Sequence, residues 1–288
     1  IRMLPLAAIR GKVKSRFVQA FLYYVPYVTL SVMTFPSMMD ATGSQYSGLA
    51  ACYDRLIDQT IYDRFCGRIC TLLQQNGIED GLVLELCCGT GTLARMLSQH
   101  GYEMICCDAS PDMLNIAREK CADLDVPPVW ICQEAAELDL YGTVRAVVCC
   151  LDSVNYFTDL RELKEVFRRV SLFLEPGGLF LFDVKSRQMF RDLAGTCSIQ
   201  EEDGLFCTWQ YGFDSRSGYA QHQVDLFRQE GEGYTRFTEW HDQRAYSAET
   251  LKQALVAAGM KVKGVYADYT TKKAREETGR LLFVAEKP

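Results

Sequence analysis

The segment Leu82-Val83-Leu84-Glu85-Leu86-Cys87-Cys88-Gly89-Thr90-Gly91 constrains the fold of this chain more than any other. It is an apolar run ending in a paired-glycine turn, with one acid inside it. A second apolar run, Tyr102-Glu103-Met104-Ile105-Cys106-Cys107, ends in Asp108. The pattern predicts a strand, a tight loop, a helix and a second strand. Glycine at 89 and 91 permits positive φ and lets a ligand approach the backbone where no Cβ intrudes. Asp108 stands at about the spacing from which a carboxylate grips ribose hydroxyls in βαβ nucleotide folds.

The rest of the chain extends this rhythm. Strand candidates at 82–87, 103–107, 129–132, 145–150 and 179–184 alternate with helix candidates at 91–100, 111–121 and 159–173. Such alternation implies a mostly parallel sheet with helices on both faces. Ser110 can cap a helix whose first residue is Pro111. Before the first strand, Leu49, Tyr53, Leu56, Ile57, Ile61 and Phe65 recur at spacings of three and four, predicting a helical lid between Tyr46 and Asn76. Between Arg187 and Arg244 the pattern switches to three alternating strands, 205–211, 219–227 and 234–240, separated by glycine-bearing turns. A helix capped by Ser247 and stopped by Gly259 follows, then strands at 261–269 and 280–286. The expected organisation is an extension at 1–39, a cofactor-binding core with its lid at 40–186, an antiparallel insertion at 187–245 walling the substrate, and a return to the sheet at 246–288.

Gly89, Gly91 and Ala94 also fit the spacing of dinucleotide dehydrogenases. Two features favour another family. Glu85 lies inside the strand, where a dehydrogenase is normally apolar throughout, and Leu174-Glu175-Pro176-Gly177-Gly178-Leu179-Phe180-Leu181-Phe182-Asp183 reads as a helix end, a turn and a buried strand. As a set, Glu-x-x-Cys-Gly-Thr-Gly, Asp108 and Pro176-Gly177-Gly178 resemble the class I S-adenosylmethionine-dependent methyltransferases, over roughly residues 45 to 288. The resemblance implies an α/β fold with a Rossmann-like seven-stranded sheet ending in an antiparallel hairpin, here carrying a small antiparallel β insertion. Including Arg244-Ala-Tyr246-Ser247, the pattern is most similar to the small-molecule group with glycine and amino-sugar N-methyltransferases and tellurite-resistance-type enzymes.

The same resemblance implies S-adenosyl-L-methionine as methyl donor and a small-molecule acceptor with a reacting nitrogen or oxygen. Glu85, Cys87, Gly89 and Gly91 would surround the methionine end, Asp108 the ribose, and Ala109 and Met113 the adenine. Glu134, followed by Ala135, matches an acid beside the adenine, although aspartate is more usual there. Leu151-Asp152-Ser153-Val154-Asn155-Tyr156-Phe157 follows the fourth strand, where methyl group and acceptor meet. It resembles an Asn-Pro-Pro-Tyr motif without the prolines, which argues against a nucleobase-amine acceptor. Asp152 and Tyr156 are candidates for catalysis, and Asp152 and Asn155 equally for acceptor binding or helix capping. Tyr53, with Tyr46, either covers the cofactor or belongs to the lid's apolar face, and Asp54 reads as a surface or capping acid.

Among the three histidines, His100 reads as a helix C-terminal dipole partner and His222 as a strand residue facing solvent. His241 borders the cleft and is the candidate base. Arg244 and Tyr246 either hold an acidic substrate group or brace the insertion. In-line methyl transfer requires no metal, and the nearest cysteine spacing, Cys66-x-x-x-Cys70, is not that of a zinc ligand pair. Thirteen cysteines, many in adjacent pairs on strands, read as small buried hydrophobes in a reducing cytoplasm.

The first 39 residues carry Arg2, Arg10, Lys12, Lys14 and Arg16 and no acid, leaving 26 basic against 37 acidic residues in the remainder. That acidic body excludes a nucleic-acid partner. The 19 residues Phe17–Phe35 approach the length of a membrane span, but Pro26, Gln19, the initial Ile and Met38-Met39 favour translation starting at the second site, so a membrane role is expected only if residues 1–39 are genuine. Oligomeric state is not written in the sequence. Two rival functions share the glycine turn: a protein that binds the donor without turnover, and a nicotinamide-dependent dehydrogenase.

Overall fold

The computed structural model describes residues 48–288; the extension at 1–39 and Tyr46 lie outside them. Seven strands form one sheet in the order β10-β11-β5-β4-β1-β2-β3. They are β1 (Gly81–Leu86), β2 (Tyr102–Asp108), β3 (Val129–Cys132), β4 (Val144–Cys149), β5 (Leu174–Lys185), β10 (Lys261–Ala267) and β11 (Arg280–Glu286). The pairs β1–β2, β1–β4, β2–β3 and β4–β5 are parallel, whereas β11 runs antiparallel to both β5 and β10. This is the Rossmann-like methyltransferase sheet expected from the sequence.

Two-residue periodicity decides which face each strand residue covers. Leu84, Leu86, Val147, Phe180, Phe182 and Phe283 pack with α4 (Leu160–Phe173) and α6 (Ala248–Ala257). Val83, Ala146, Val148, Leu181 and Leu282 face α1 (Thr60–Gln75) and α2 (Thr92–Gln99), with Leu114 of α3 (Pro111–Lys120) beside them. Phe180, Phe182 and Phe283 are fully buried and stack in sequence, with centroid separations of 4.8 and 4.9 Å. At about 2–3 kcal/mol per buried aromatic, these rings anchor the parallel half to the closing hairpin.

The structure departs from the sequence reading in three places. The lid is not one helix: the single turn Tyr53–Leu56 ends at an extended Ile57, and α1 restarts at Thr60. Asp58 drives the break by accepting hydrogen bonds from the backbone N–H and the hydroxyl of Thr60. Pro176-Gly177-Gly178 is a bulge within β5 rather than a free turn. Gly177, at φ +80°, donates its N–H to Lys287 at 2.7 Å, and the β4–β5 register jumps from Val144↔Leu174 to Ala146↔Leu179.

The insertion forms a separate antiparallel sheet of four strands, not three, in the order β6 (Cys197–Glu202), β7 (Leu205–Asp214), β8 (Tyr219–Glu230), β9 (Gly233–Arg244). It is preceded by α5 (Arg187–Leu193), capped by Ser186. β6 is a largely polar edge strand, which hid it. Leu205, Cys207, Val224 and Leu226 on the inner face pack against Leu49, Cys52 and Leu56 of the lid.

Candidate active site

A cavity of about 490 Å³ opens at the carboxyl ends of β1, β2, β3 and β4. Glu85, Cys87, Gly89, Asp108, Ala109, Met113, Glu134, Ala135, Leu151, Tyr53 and Tyr156 all line it, so all but one of the residues expected around the donor converge here. Open α/β sheets collect ligands at this edge because parallel strands release their loops there. Cys87 and Leu151 both hold positive φ, +57° in each case, so two strand ends are bent away from the sheet around the cavity.

Gly91 is the exception and packs behind the turn. A Cβ there would stand 2.9 Å from the Ala117 Cβ and 3.0 Å from the Trp130 ring, and its φ is +71°. A Cβ on Gly89, by contrast, would meet nothing within 4 Å; that glycine leaves open space at the cavity wall. Sequence reasoning missed Tyr62, Gln133, Ser153 and Glu162 among the lining residues. Their polar ends sit on segments whose pattern reports only the apolar face or the turn.

Asp108 is fixed by two backbone donors, Gly89 N–H to Oδ2 at 2.8 Å and Ser110 N–H to Oδ1 at 2.9 Å. Burial raises its carboxyl above the usual range despite those donors. Glu85 is 4% exposed, and its Oε2 has no donor among the described residues. Burial, with the nearby Asp108 charge adding to it, pushes the Glu85 carboxyl up to about 8. A buried carboxylate oxygen without a donor, facing a cavity, suits a cationic group such as an amino acid ammonium. Together with the space at Gly89 and the Asp108 carboxylate, it fits S-adenosylmethionine.

Asp54 is not a plain surface acid. Its carboxylate accepts the Thr90 hydroxyl at 2.6 Å and pairs with Lys120 at 2.6 Å, clasping the lid to the glycine turn.

Behind the cavity, Tyr156 Oη lies 3.2 Å from His241 Nδ1, and His241 Nε2 lies 3.4 Å from Glu239 Oε2. The histidine is fully buried and does not line the cavity itself, whereas Tyr156 does. Glu239 Oε1 accepts the backbone N–H groups of Gly48 and Leu49 at 2.6 and 2.9 Å, so one carboxylate joins the start of the lid to the histidine. His222 corrects the expectation of a solvent-facing strand residue. It is 2% exposed and its Nε2 lies 3.1 Å from the Gln243 Oε1; burial, reinforced by the Lys185 charge, holds its imidazole down at about 4.

The remaining candidates brace this region without lining the cavity. Asp152 pairs with Lys185 at 2.8 Å and Arg280 at 2.9 Å; burial pushes its carboxyl up, but those two charges outweigh it and hold it at about 2. Asn155 is buried and spends its amide on Lys185 and Arg244 backbone groups. Arg244 donates to the Thr158 carbonyl at 3.1 Å, and the Tyr246 hydroxyl to the Phe157 carbonyl at 2.5 Å. These contacts tie the loop after β4 to β5, β9 and β11, and Asp152 makes no side-chain capping bond.

The strand order, the glycine turn and the carboxylate after β2 define a nucleotide-type methyltransferase fold. A family model described as a methyltransferase domain matches residues 83–178. YqeM of Bacillus subtilis (strain 168), which carries the name of a methyltransferase, is 33% identical over 247 residues, covering 84% of this chain and 97% of its own. A crystal structure of an S-adenosylmethionine-dependent methyltransferase from Clostridium acetobutylicum ATCC 824 superposes with a TM-score of 0.75 at 28% identity, covering 84% of this chain and 99% of that one. The sugar N-methyltransferase KedS8 from Streptoalloteichus sp ATCC 53650 has the same fold, with a TM-score of 0.69 at 20% identity over 89% of this chain and 98% of its own. The chain belongs to the class I S-adenosylmethionine-dependent methyltransferases, and it is an enzyme of that class.

Proposed function

We propose that this enzyme binds S-adenosylmethionine in the cavity at the strand ends and transfers its methyl group, by in-line displacement, to a nitrogen or oxygen of a small molecule bounded by the insertion. The donor supplies an electrophilic methyl group on a sulfonium. The protein's task is to hold it and the acceptor in line and to exclude water. Glu85 and Asp108 bind opposite ends of the donor, Tyr53 closes over it, and Met113, Ala109 and Ala135 pack its apolar part, with Glu134 beside the base.

The observation that carries the acceptor side is the Tyr156–His241–Glu239 line leading from the cavity into the insertion. As the acceptor loses its proton, the Tyr156 oxygen takes it while passing its own to His241 Nδ1, and Glu239 steadies the resulting imidazolium. Asp152, Asn155, Arg244 and Tyr246 act by fixing the loop that presents Tyr156. The acidic balance supports a small acceptor over a nucleic acid. The fold shared with a sugar N-methyltransferase makes amino sugars the first acceptors to try. Thirteen free cysteines support action in a reducing cytoplasm.

The test is a screen of amino sugars, amino acids and metabolite extracts with methyl-labelled donor. Label should appear in a low-molecular-weight product, and a Tyr156→Phe variant should slow its formation. Label confined to protein or nucleic acid would reject the reading, as would donor binding with no product from any acceptor pool.

A further inference from the structure

Away from the cavity, the structure joins three ligand atoms that the sequence keeps apart. Cys66 and Cys70 lie one turn apart on α1 and are buried, and His100 stands just beyond the end of α2, exposed. Cys66 Sγ is 3.9 Å from Cys70 Sγ and 3.8 Å from His100 Nδ1, and all three atoms lie within 4.8 Å of one another. A tetrahedral zinc ion with Zn–S of about 2.3 Å and Zn–N of about 2.0 Å requires S···S near 3.8 Å and S···N near 3.5 Å. The sulfurs are already at that separation; His100 Nδ1 is within a few tenths of an ångström of it from Cys66 and within 4.8 Å of Cys70, so a small shift of the exposed imidazole closes the site.

We infer that Cys66, Cys70 and His100 form a site for a thiophilic divalent cation, zinc above all, which pins the end of α2 to α1. The fourth position falls on the exposed His100 side, where water can complete the tetrahedron. The Cys66-x-x-x-Cys70 spacing is not by itself that of a zinc pair, but helix periodicity puts residues i and i+4 on one face, and packing supplies the third ligand. Binding has a defined proton cost. His100 Nδ1 lies 2.9 Å from the Met96 carbonyl, so to ligate it must carry its proton on Nε2 and turn off that carbonyl toward the sulfurs. The thiols lose theirs to solvent. No lining residue of the donor cavity is a ligand, so this site is independent of methyl transfer.

The experiment titrates the reduced, chelator-treated full chain with cobalt(II), then zinc(II). One equivalent of cobalt should give a thiolate charge-transfer band that zinc abolishes, and zinc should raise Tm in a concentration-dependent way. His100→Ala, an exposed change that leaves the core intact, should weaken binding by about tenfold or more. Cys66→Ser with Cys70→Ser should remove the band, with S-adenosylmethionine affinity unchanged in the variants that fold. Absence of a thiolate band, a band that survives the double serine variant, or a His100→Ala affinity equal to wild type would each overturn the site.

Discussion

The Asp54 carboxylate on the lid lies 2.6 Å from the Lys120 ammonium at the end of α3, and that ammonium also donates to the hydroxyls of Thr90 and Thr92 at 3.0 and 2.6 Å. One clasp therefore spans the lid, the glycine turn and a core helix. Partly exposed pairs contribute about 1 kcal/mol at most, so Asp54→Asn should leave the fold intact. It should weaken donor binding several-fold and speed proteolysis near residues 50–59. If neither the dissociation constant nor the cleavage rate moves, the clasp does not control the lid.

The proposed contact of Glu85 with the donor has a consequence for stability. Its folded carboxyl is raised from an ordinary 4.5 to about 8, so without ligand the folded state retains a proton that the unfolded chain loses. Stability from this group is present below about pH 4.5 and declines as pH rises toward 8. Glu85→Gln removes that slope. The ligand-free variant should melt higher than wild type at pH 8, yet bind S-adenosylmethionine less tightly; parallel melting curves against pH check the first, and calorimetry the second. A variant that melts at or below wild type at pH 8 would disprove the buried-acid account.

Gly89 and Gly91 are both at positive φ but separate in their consequences. Gly91→Ala pushes a methyl into Ala117 and Trp130 and should cost about 2–4 kcal/mol, through strain and overpacking. Gly89→Ala meets open space, should cost only about 1 kcal/mol from its backbone, and should act mainly on donor affinity. Denaturant unfolding of the two variants distinguishes them; equal losses would mean the two glycines do the same job.

Much of this was legible in the sequence, for identifiable reasons. Strand ends and glycine turns are local, so Glu85, Asp108 and the cavity floor could be read from spacing. Asp54, His222 and Glu239 could not, because their partners are distant: Thr90 and Lys120, Gln243, and the Gly48–Leu49 backbone. A polar residue in a strand gives no sign of whether a second element covers it, which is how His222 read as solvent-facing. Polar β6 and the break at Ile57 were missed because neither disturbs the apolar periodicity strongly.

The line from Tyr156 through His241 to Glu239 predicts a graded series. Tyr156→Phe and His241→Gln should each lower kcat with the identified acceptor by about a hundredfold, with donor affinity nearly unchanged. Glu239→Gln should be milder on kcat but should also loosen the lid, raising KM for the donor. Steady-state kinetics with both substrates varied reads out the pattern. A full-rate His241→Gln variant would remove the histidine from the reaction.

The central claim is that Asp108 and Glu85 make this cavity a site for S-adenosylmethionine. Calorimetric titration of the wild type and Asp108→Ala with S-adenosylmethionine, S-adenosylhomocysteine and NAD tests it most directly. The account predicts binding of both sulfur nucleotides, none of NAD, and a loss of about 1–3 kcal/mol in the variant from missing ribose hydrogen bonds. Tight NAD binding without affinity for the sulfur nucleotides, or an Asp108→Ala dissociation constant equal to wild type, would contradict it.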